Sequence, residues 1–549
     1  MKFTEEKLEQ AFIELLDEEN ISHASGKAML RDFSEVLIKK DLKNYLLSQY
    51  SNEGLTKSEA DSIIRELENF PASDLYESNK TIMKKVSDGF LFKREDRSQK
   101  DLYIQLIDYS EEDNNTYKIV NQLEIQGFEN KRIPDGILYI NGIPLVVIEF
   151  KSAIREEATI HDAFIQLTVR YKRDIPELFK YNAFCVISDG VNNRAGSFFA
   201  PYEFYYSWRR TEGMDNEVDG VDSLYTLIQG MFNRKRIRDI IQNFIYLPDS
   251  SKKDLKIVCR YPQYYAAPRL LMKSPYFASP TIVLITDRTD LDDQLSAQFT
   301  NAKDFIGDES VISVESRQDL RDLLQGRNSG GVFLTTIHKF TEDTQLLTDR
   351  TNVICISDEA HRSQVNLDQK VRITSEGVKK TYGFAKYLHD SLPNATYVGF
   401  TGTPIDATLD VFGEVVDAYI MTESVKDGIT VKIVYEGRAA KVLLDNSKLK
   451  DIEGYYARCA EEGSNEHQIE ESKKAMANMS LILGDPDRLK AVAEDFVNHY
   501  TKRVSEGATL KGKAMFVCSS RPIAYDSTRR SLPYDRTGQK SKLVKRAPN

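Results

Sequence analysis

The stretch Gly136–Phe150, GILYINGIPLVVIEF, constrains this chain more than any other. Two apolar runs flank Asn141-Gly142, a dipeptide suited to a two-residue hairpin turn because both residues tolerate positive φ. Runs this apolar need cover on both faces, so the hairpin belongs inside a sheet with other elements packed on it. Yet the second run closes on a carboxylate, Glu149, and an amine, Lys151, two residues apart and therefore on one face. Burying either costs free energy unless something compensates it. Pro134-Asp135 stands just before the first run. An aspartate and a glutamate on adjacent strands can jointly hold Mg²⁺, which takes hard oxygen ligands. Such an ion polarises a phosphodiester and activates water, while Lys151 orients that water or offsets developing charge. Asp135, Glu149 and Lys151 are therefore candidate catalytic residues. Gln166 and Tyr171, on the following expected helix (Ala158–Tyr171), are candidates to support them.

The spacing carries its own test. A strict two-residue loop pairs Ile140 with Ile143, and hence Asp135 with Ile148, which turns Asp135 away from Glu149. One extra residue is required, and we place it in the turn, as a three-residue loop or a bulge at Gly142. PD and ExK also occur by chance in charged sequences. The apolar strand beneath Glu149 is what argues against chance here.

A chain of 549 residues exceeds one core, so two to four domains are expected. Its 41% hydrophobic and 29% charged residues fit an ordinary water-soluble protein. No run of about 18 apolar residues is present, and the N-terminus leads straight into an amphipathic pattern (Leu8, Phe12, Leu15, Leu16) without a signal-peptide core. The five cysteines have no metal-ligand spacing. We expect a cytoplasmic protein with no membrane contact. The net charge of −10 means that any DNA contact must come from local patches.

Residues 1–70 read as polar helices and residues 100–190 as short apolar strands, including Leu102–Ile107, Tyr117–Val120 and Ala183–Ser188. A basic helical stretch then closes a first domain, 1–240. A second alternation follows, with strands Thr281–Thr286, Gly331–Thr335, Val353–Ser357 and Ala395–Gly399, which implies a parallel sheet covered by helices. This second domain spans 241–435. A third segment, 436–526, has its last clear strand at Ala514–Ser519. Residues 527–549, with seven Lys/Arg against one Asp, read as a disordered basic tail. The fold class is α/β.

The second domain's strands end in polar motifs. Val353–Ser357 delivers Asp358-Glu359-Ala360-His361, where Asp358 would hold Mg²⁺ through water and Glu359 would activate the attacking water. Phe400-Thr401-Gly402-Thr403-Pro404 follows another strand. Thr286 with Arg288, and Thr336, sit in loops whose hydroxyls and amides suit phosphate contacts. Each motif is weak alone, but their order is informative.

Two resemblances follow from these residues. The motif order, opened by Arg260-Tyr261-Pro262-Gln263, resembles the first RecA-like lobe of superfamily 2 helicases. That implies ATP as cofactor, adenine contacts from Arg260 and Gln263, and nucleotide hydrolysis at Asp358, Glu359 and His361. It also implies coupling to DNA through Thr286, Arg288, Thr336, Thr401, Gly402 and Thr403. RIPDGILYINGIPLVVIEFKSA, with QLTVRY after it, LYESNK and FKRED before it and APYEFYYSW beyond, is similar to the PD-(D/E)xK nuclease domain of type I restriction R subunits. On that match Asp135, Glu149 and Lys151 form the catalytic triplet with Gln166 and Tyr171 in support, and Glu77 is a further candidate acid or a solvated helix residue. The family resemblance implies Mg²⁺, double-stranded DNA, and methyltransferase (M) and specificity (S) partner subunits, with DNA translocation preceding cleavage.

The motor reading has a gap. The phosphate-binding GxxxxGK(S/T) belongs between Gln263 and Thr281, but Tyr264 to Pro280 reads YYAAPRLLMKSPYFASP, without a glycine. A strand, loop and helix would need about 25 residues. The GxxxxGK match at Gly507–Lys513 precedes a strand and has Ala514 where the hydroxyl belongs, so we reject it. Lys513–Ala524 resembles the start of a second lobe, whose later motifs are not found. We therefore expect an intact nuclease and a motor that does not hydrolyse ATP. Two rivals remain in view: a degenerate, non-catalytic product that only binds DNA or partner subunits, and a stand-alone helicase-nuclease acting on RNA or repair intermediates.

Overall fold

A computed structural model of the chain describes residues 4–96, 98–151, 160–211, 222–249, 254–273, 279–287, 289–306, 311–340, 346–361, 369–374, 377–382, 384–436, 483–507 and 514–531. The molecule divides into two compact units, 1–431 and 432–549.

Helix α1 (Glu5–Glu18) starts at Thr4, whose hydroxyl accepts from the Lys7 N–H. Its apolar stripe, Leu8, Phe12 and Leu16, is buried, with the Phe12 ring edge-on to Phe150. Each such side chain contributes about 1.5–3 kcal/mol by leaving water. The stripe covers a six-stranded sheet of β1 (Ser22–Ser25), β2 (Tyr117–Asn121), β3 (Gly136–Ile140), β4 (Ile143–Phe150), β5 (Phe184–Ser188) and β6 (Asn193–Gly196). The strands lie side by side in chain order. β1 runs parallel to β2 and β4 to β5, and the other neighbours are antiparallel. β3 and β4 are buried along their whole length, as continuous apolar runs require.

The β3–β4 hairpin corrects one expectation. Ile140 pairs with Ile143 across a strict two-residue turn. Asn141 (φ 49°) and Gly142 (φ 78°) both occupy the left-handed region that such a turn needs. The extra residue is not at Gly142. The register shifts further along: Leu138 faces Val146 and Tyr139 faces Pro144, which leaves Leu145 as the bulge. Pro144 explains the position, because proline has no N–H for the ladder and is tolerated in a central strand only at such irregularities. Past the bulge Gly136 faces Ile148, so Asp135 lies opposite Glu149. Asn141 does more than turn. Buried, it donates to Leu106 O (3.0 Å) and Asn115 Oδ1 (2.8 Å) and accepts from the Thr116 N–H (2.8 Å).

The apolar core around this sheet continues past residue 240 to Tyr261, Tyr264 and Tyr265. Helix α2 (Leu75–Ser87) ties that continuation down. Tyr76 donates to Leu255 O (2.7 Å), and the buried Lys256 amine, pushed down to about 7 by desolvation, donates to Asn79 Oδ1 (3.1 Å).

A second sheet holds β7 (Thr281–Thr286), β8 (Val311–Ser313), β9 (Val332–Thr336), β10 (Val353–Ser357) and β11 (Thr396–Gly399), in the order β8-β9-β7-β10-β11. All of its strands are parallel. It has its own core, including Val283, Ile285, Phe333, Val353 and Cys355.

Two expectations for the C-terminal unit fail. Residues 514–518 form no strand, and Met515 and Val517 lie largely in solvent. A strand needs a neighbour for its backbone groups, and none stands beside this segment among the described residues. Residues 521–531 form a helix that includes the first part of the expected disordered tail, so Ser527–Ser531 are ordered. The remainder of the tail and Gly507–Lys513, apart from Gly507 itself, lie outside the described residues.

Candidate active site

The bulge at Leu145 brings two acids to one face at the end of β4. Asp135 follows Pro134 into β3, and its Oδ2 accepts the Phe150 N–H at 2.7 Å, which fixes the carboxylate against the neighbouring strand. Glu149, only 1% exposed, accepts from Lys151 Nζ at Oε1 (2.7 Å) and from the Tyr171 hydroxyl at Oε2 (3.0 Å). Lys151 Nζ also donates to Phe150 O (2.8 Å). Tyr171 lies at the end of a π-helical turn, Gln166–Tyr171, which follows a short helix, Ile160–Ile165. The wider turn sets Gln166 and Tyr171 to face each other, and the Gln166 amide donates to the Tyr171 hydroxyl at 2.9 Å. The five residues Asp135, Glu149, Lys151, Gln166 and Tyr171 thus form one connected group. Glu77, in the first turn of α2, is exposed to solvent.

The electrostatics of the group are short of positive charge. Burial pushes the Asp135 carboxyl up to about 6, against the opposing pull of the Phe150 N–H and Lys151. Burial, with the charge of Asp135 added, pushes Glu149 up to about 8. One ammonium does not compensate two buried carboxylates, and a divalent cation would. The donor set fits such an ion: two hard carboxylates on facing strands, with the lysine ammonium already drawn to one of them, Glu149. Among the described residues no group of three or more His, Cys, Asp or Glu gathers at one point, so an ion held here would keep water in its remaining positions.

In the second sheet, parallel strands bring their C-terminal ends to one edge, where loops in α/β folds present ligand-binding groups. Thr286 ends β7 and Thr336 ends β9, both buried. Asp358 follows β10, and its N–H donates to Ile285 O (2.9 Å). Its Oδ1 accepts the N–H of Glu359 (3.0 Å), a residue held at φ 49°. His361 Nδ1 lies 2.6 Å from Thr401 Oγ1 and 3.5 Å from Glu359 Oε2. Thr401 also accepts the Thr403 N–H (3.2 Å), and Gly402 and Thr403 are exposed. The motif residues of β10 and β11 are therefore joined by hydrogen bonds. Arg288 lies outside the described residues. Gln263 Oε1 accepts the Arg260 N–H (3.0 Å), and the Arg260 guanidinium stacks over the rings of Tyr206 and Tyr419.

Known protein families match the chain over both of these regions. The family model for the type I restriction enzyme R protein N terminus matches residues 2–204, and the SWI2/SNF2 ATPase model matches 263–469. The HindI endonuclease subunit of a type I restriction enzyme from Haemophilus influenzae is 34% identical over 91% of this chain and 50% of its own length. The MjaIXP endonuclease subunit of Methanocaldococcus jannaschii is 28% identical over 94% of this chain and 54% of its own. The chain belongs to the type I restriction R-subunit family. It spans about half the length of the relatives it matches.

This R-subunit relative departs from a complete ATPase lobe where its sequence does. Helix α3 (Tyr261–Lys273) runs without interruption from the Arg260–Gln263 element, with Pro268 inside it. Its first turns pack into the N-terminal core through Tyr261, Tyr264 and Tyr265. Among the described residues, no strand-to-helix phosphate loop stands between that element and β7. No helix of the chain's described residues is long and apolar enough to cross a membrane.

Three features of the site were not read from the sequence. The Phe150 N–H that holds Asp135 is invisible to any motif. The bulge was signalled by Pro144 but assigned to the turn. The π-helical turn that joins Gln166 to Tyr171 has no local sequence signature.

Proposed function

We propose that this chain is the R subunit of a type I restriction–modification system and acts as a Mg²⁺-dependent endonuclease on double-stranded DNA. The observation that carries the reading is the buried Asp135–Glu149 pair, opposite each other across the bulged hairpin with Lys151 on Glu149. Asp135 and Glu149 would hold the ion, which when bound polarises the scissile phosphodiester and activates water. Lys151 is placed to orient that water and to offset charge on the phosphate. Tyr171, steadied by Gln166, holds one oxygen of Glu149 so that the other stays with Lys151. The Phe150 N–H does the same for Asp135. Bonds of this kind commonly change metal affinity or activity by about 10–100-fold when removed.

The proposal for the motor is narrower. Asp358, Glu359, His361 and Thr401 share an edge suited to a nucleotide's Mg²⁺ and attacking water, and Thr286, Thr336, Gly402 and Thr403 offer hydroxyls and amides to a nucleic-acid backbone. Without a phosphate loop nothing closes on the β- and γ-phosphates, so Asp358 lacks the phosphate oxygens that would share its Mg²⁺. Arg260 and Gln263 would at most contact adenine. ATP hydrolysis and translocation are therefore not activities of this polypeptide. DNA recognition would come from the specificity subunit, and the methyltransferase subunit would be a further partner.

The test uses the full chain with supercoiled and linear duplex DNA. Cleavage that requires Mg²⁺, stops with chelator and is lost in Lys151→Ala supports the reading. Cleavage that survives Lys151→Ala assigns the activity elsewhere.

A further inference from the structure

A small hairpin leads directly into the candidate active site. Ile125–Gln126 pairs with Lys131–Arg132, and the four residues between them, Gly127 to Asn130, form its tip. At that tip the Phe128 side chain is 101% exposed. A single exposed apolar side chain is ordinary on a protein surface; what sets this one apart is its hydrogen-bonded mount beside the candidate active site.

The mount is rigid. The Gln126 N–H donates to Phe33 O (2.8 Å) and the Gly127 N–H to Asn130 O (3.0 Å). Asp174, whose side chain is buried, accepts from Arg132 Nε (2.6 Å) and from Asn130 Nδ2 (3.3 Å). Gly127 sits so close to this segment that a Cβ there would lie 1.7 Å from Asp174 O, so only glycine fits. Asp174 follows Tyr171 by three residues, and the Tyr171 hydroxyl lies 3.0 Å from Glu149 Oε2 and 3.2 Å from Ile133 O. The root of the hairpin and the acid pair are therefore held by one helical segment. Asp135 comes seven positions after Phe128, so the tip lies no more than about 25 Å along the chain from the acids.

We propose that Phe128 is a DNA-contacting wedge that enters the base stack beside the scissile phosphate. The inference rests on the nuclease reading, which puts a duplex along this edge, within about seven base pairs of the tip. The chemistry around the hairpin suits DNA. Lys131, Arg170, Lys172 and Arg173 are all exposed on the hairpin and the Gln166–Asp174 segment; Lys131 is paired with Glu124 and Arg173 with Asp174, and Arg170 and Lys172 are placed to meet phosphates. Ile133 and Val169 present further apolar surface. Glu129 is the acid at the tip. Proteins that insert an apolar side chain between base pairs combine these features: a stiff arm, one apolar tip and flanking cations.

The experiment uses the full chain without added metal, bound to duplexes carrying 2-aminopurine at successive positions. Wild type should raise the fluorescence, reporting unstacking, without preference for one position, because the specificity subunit and not this chain selects the site. Phe128→Ala should abolish the rise and weaken binding by about 5- to 100-fold, the range for losing one base–aromatic contact. Phe128→Trp should restore both. Because Phe128 is fully exposed, the thermal transition of Phe128→Ala should match wild type. Absence of the rise in wild type, or equal rise and affinity in Phe128→Ala, overturns the proposal. Unchanged DNA binding with loss of co-purifying methyltransferase subunit overturns it too, by assigning the tip to a protein partner. Lys151→Ala separates the two claims: it should keep the fluorescence rise while losing cleavage, and if it still cuts, the nuclease reading falls whatever Phe128 does.

Discussion

The two candidate sites of this chain use acids at the ends of sheet strands, yet they solve opposite problems. Glu149 is almost wholly buried, whereas the Glu359 side chain is 37% exposed. A buried carboxylate must find its partners inside the fold, and Glu149 has Lys151 and Tyr171, while Asp135 across the hairpin, held by the Phe150 N–H, adds a like charge that a cation would offset. An edge open to solvent can leave its partners to be brought by a nucleotide and a phosphate loop. The first candidate site therefore has its positioning groups within the fold and lacks only the charge of a cation. The other keeps the hydrogen bond between His361 and Thr401, and a continuous helix, Tyr261–Lys273, runs on from its Arg260–Gln263 element.

The contrast can be broken or sharpened by substitution. Lys151→Ala should have the largest effect, lowering the cleavage rate by about 10²–10³-fold, as expected when one group stabilising developing charge is removed. Single-turnover cleavage on linear DNA measures this. Tyr171→Phe should cost about 10–100-fold, with the loss partly recovered at high Mg²⁺, because it frees Glu149 without removing a ligand. A structural role alone would show no such recovery. Asn141→Ala should leave Leu106 O and the Thr116 N–H unpaired in the core and lower stability by about 1–3 kcal/mol in urea unfolding; an unchanged midpoint would mean that the turn is held by other contacts.

Smaller effects come from pH and from the motor. Asp135 and Glu149 are raised to about 6 and about 8, so the fold favours their neutral forms. Their contribution is full below the ordinary carboxylate range and is lost as pH rises through 6 to 8. Metal-free protein should therefore melt at a lower temperature at pH 9 than at pH 5 through this pair, and Mg²⁺ should reduce the difference. Equal slopes with and without Mg²⁺ would remove the ion from the pair. The smallest effect is expected from Glu359→Gln: ATP turnover, with or without DNA, should stay at the buffer rate for both proteins, and DNA-stimulated hydrolysis by wild type would refute the account of the motor.

How much was legible in the sequence follows the same divide. The apolar runs of β3 and β4 with Asn-Gly between them specify a buried hairpin, and the strands ending at Thr286, Ser357 and Gly399 announce a parallel sheet through their polar endings. Periodicity carries that information locally. What it does not carry is register. The bulge depends on Pro144 lacking a donor in a central strand, a cue present in the sequence but outweighed by the glycine of the turn. The expected strand at Ala514–Ser519 shows the reverse failure, since apolar residues with strand propensity form none without a partner beside them. Phe128 was passed over because a lone aromatic in a polar stretch has no pattern; only its exposure on a fixed hairpin singles it out.

The central claim is that Asp135 and Glu149 make a divalent-ion site and that the motor edge alone does not. Calorimetric titration of the full chain with Mn²⁺, in the absence of nucleotide, tests it most directly. Wild type and Asp358→Asn should show the same saturable binding with release of protons near pH 7, and Asp135→Asn should lose it. Binding that survives Asp135→Asn, or that disappears in Asp358→Asn, contradicts the account.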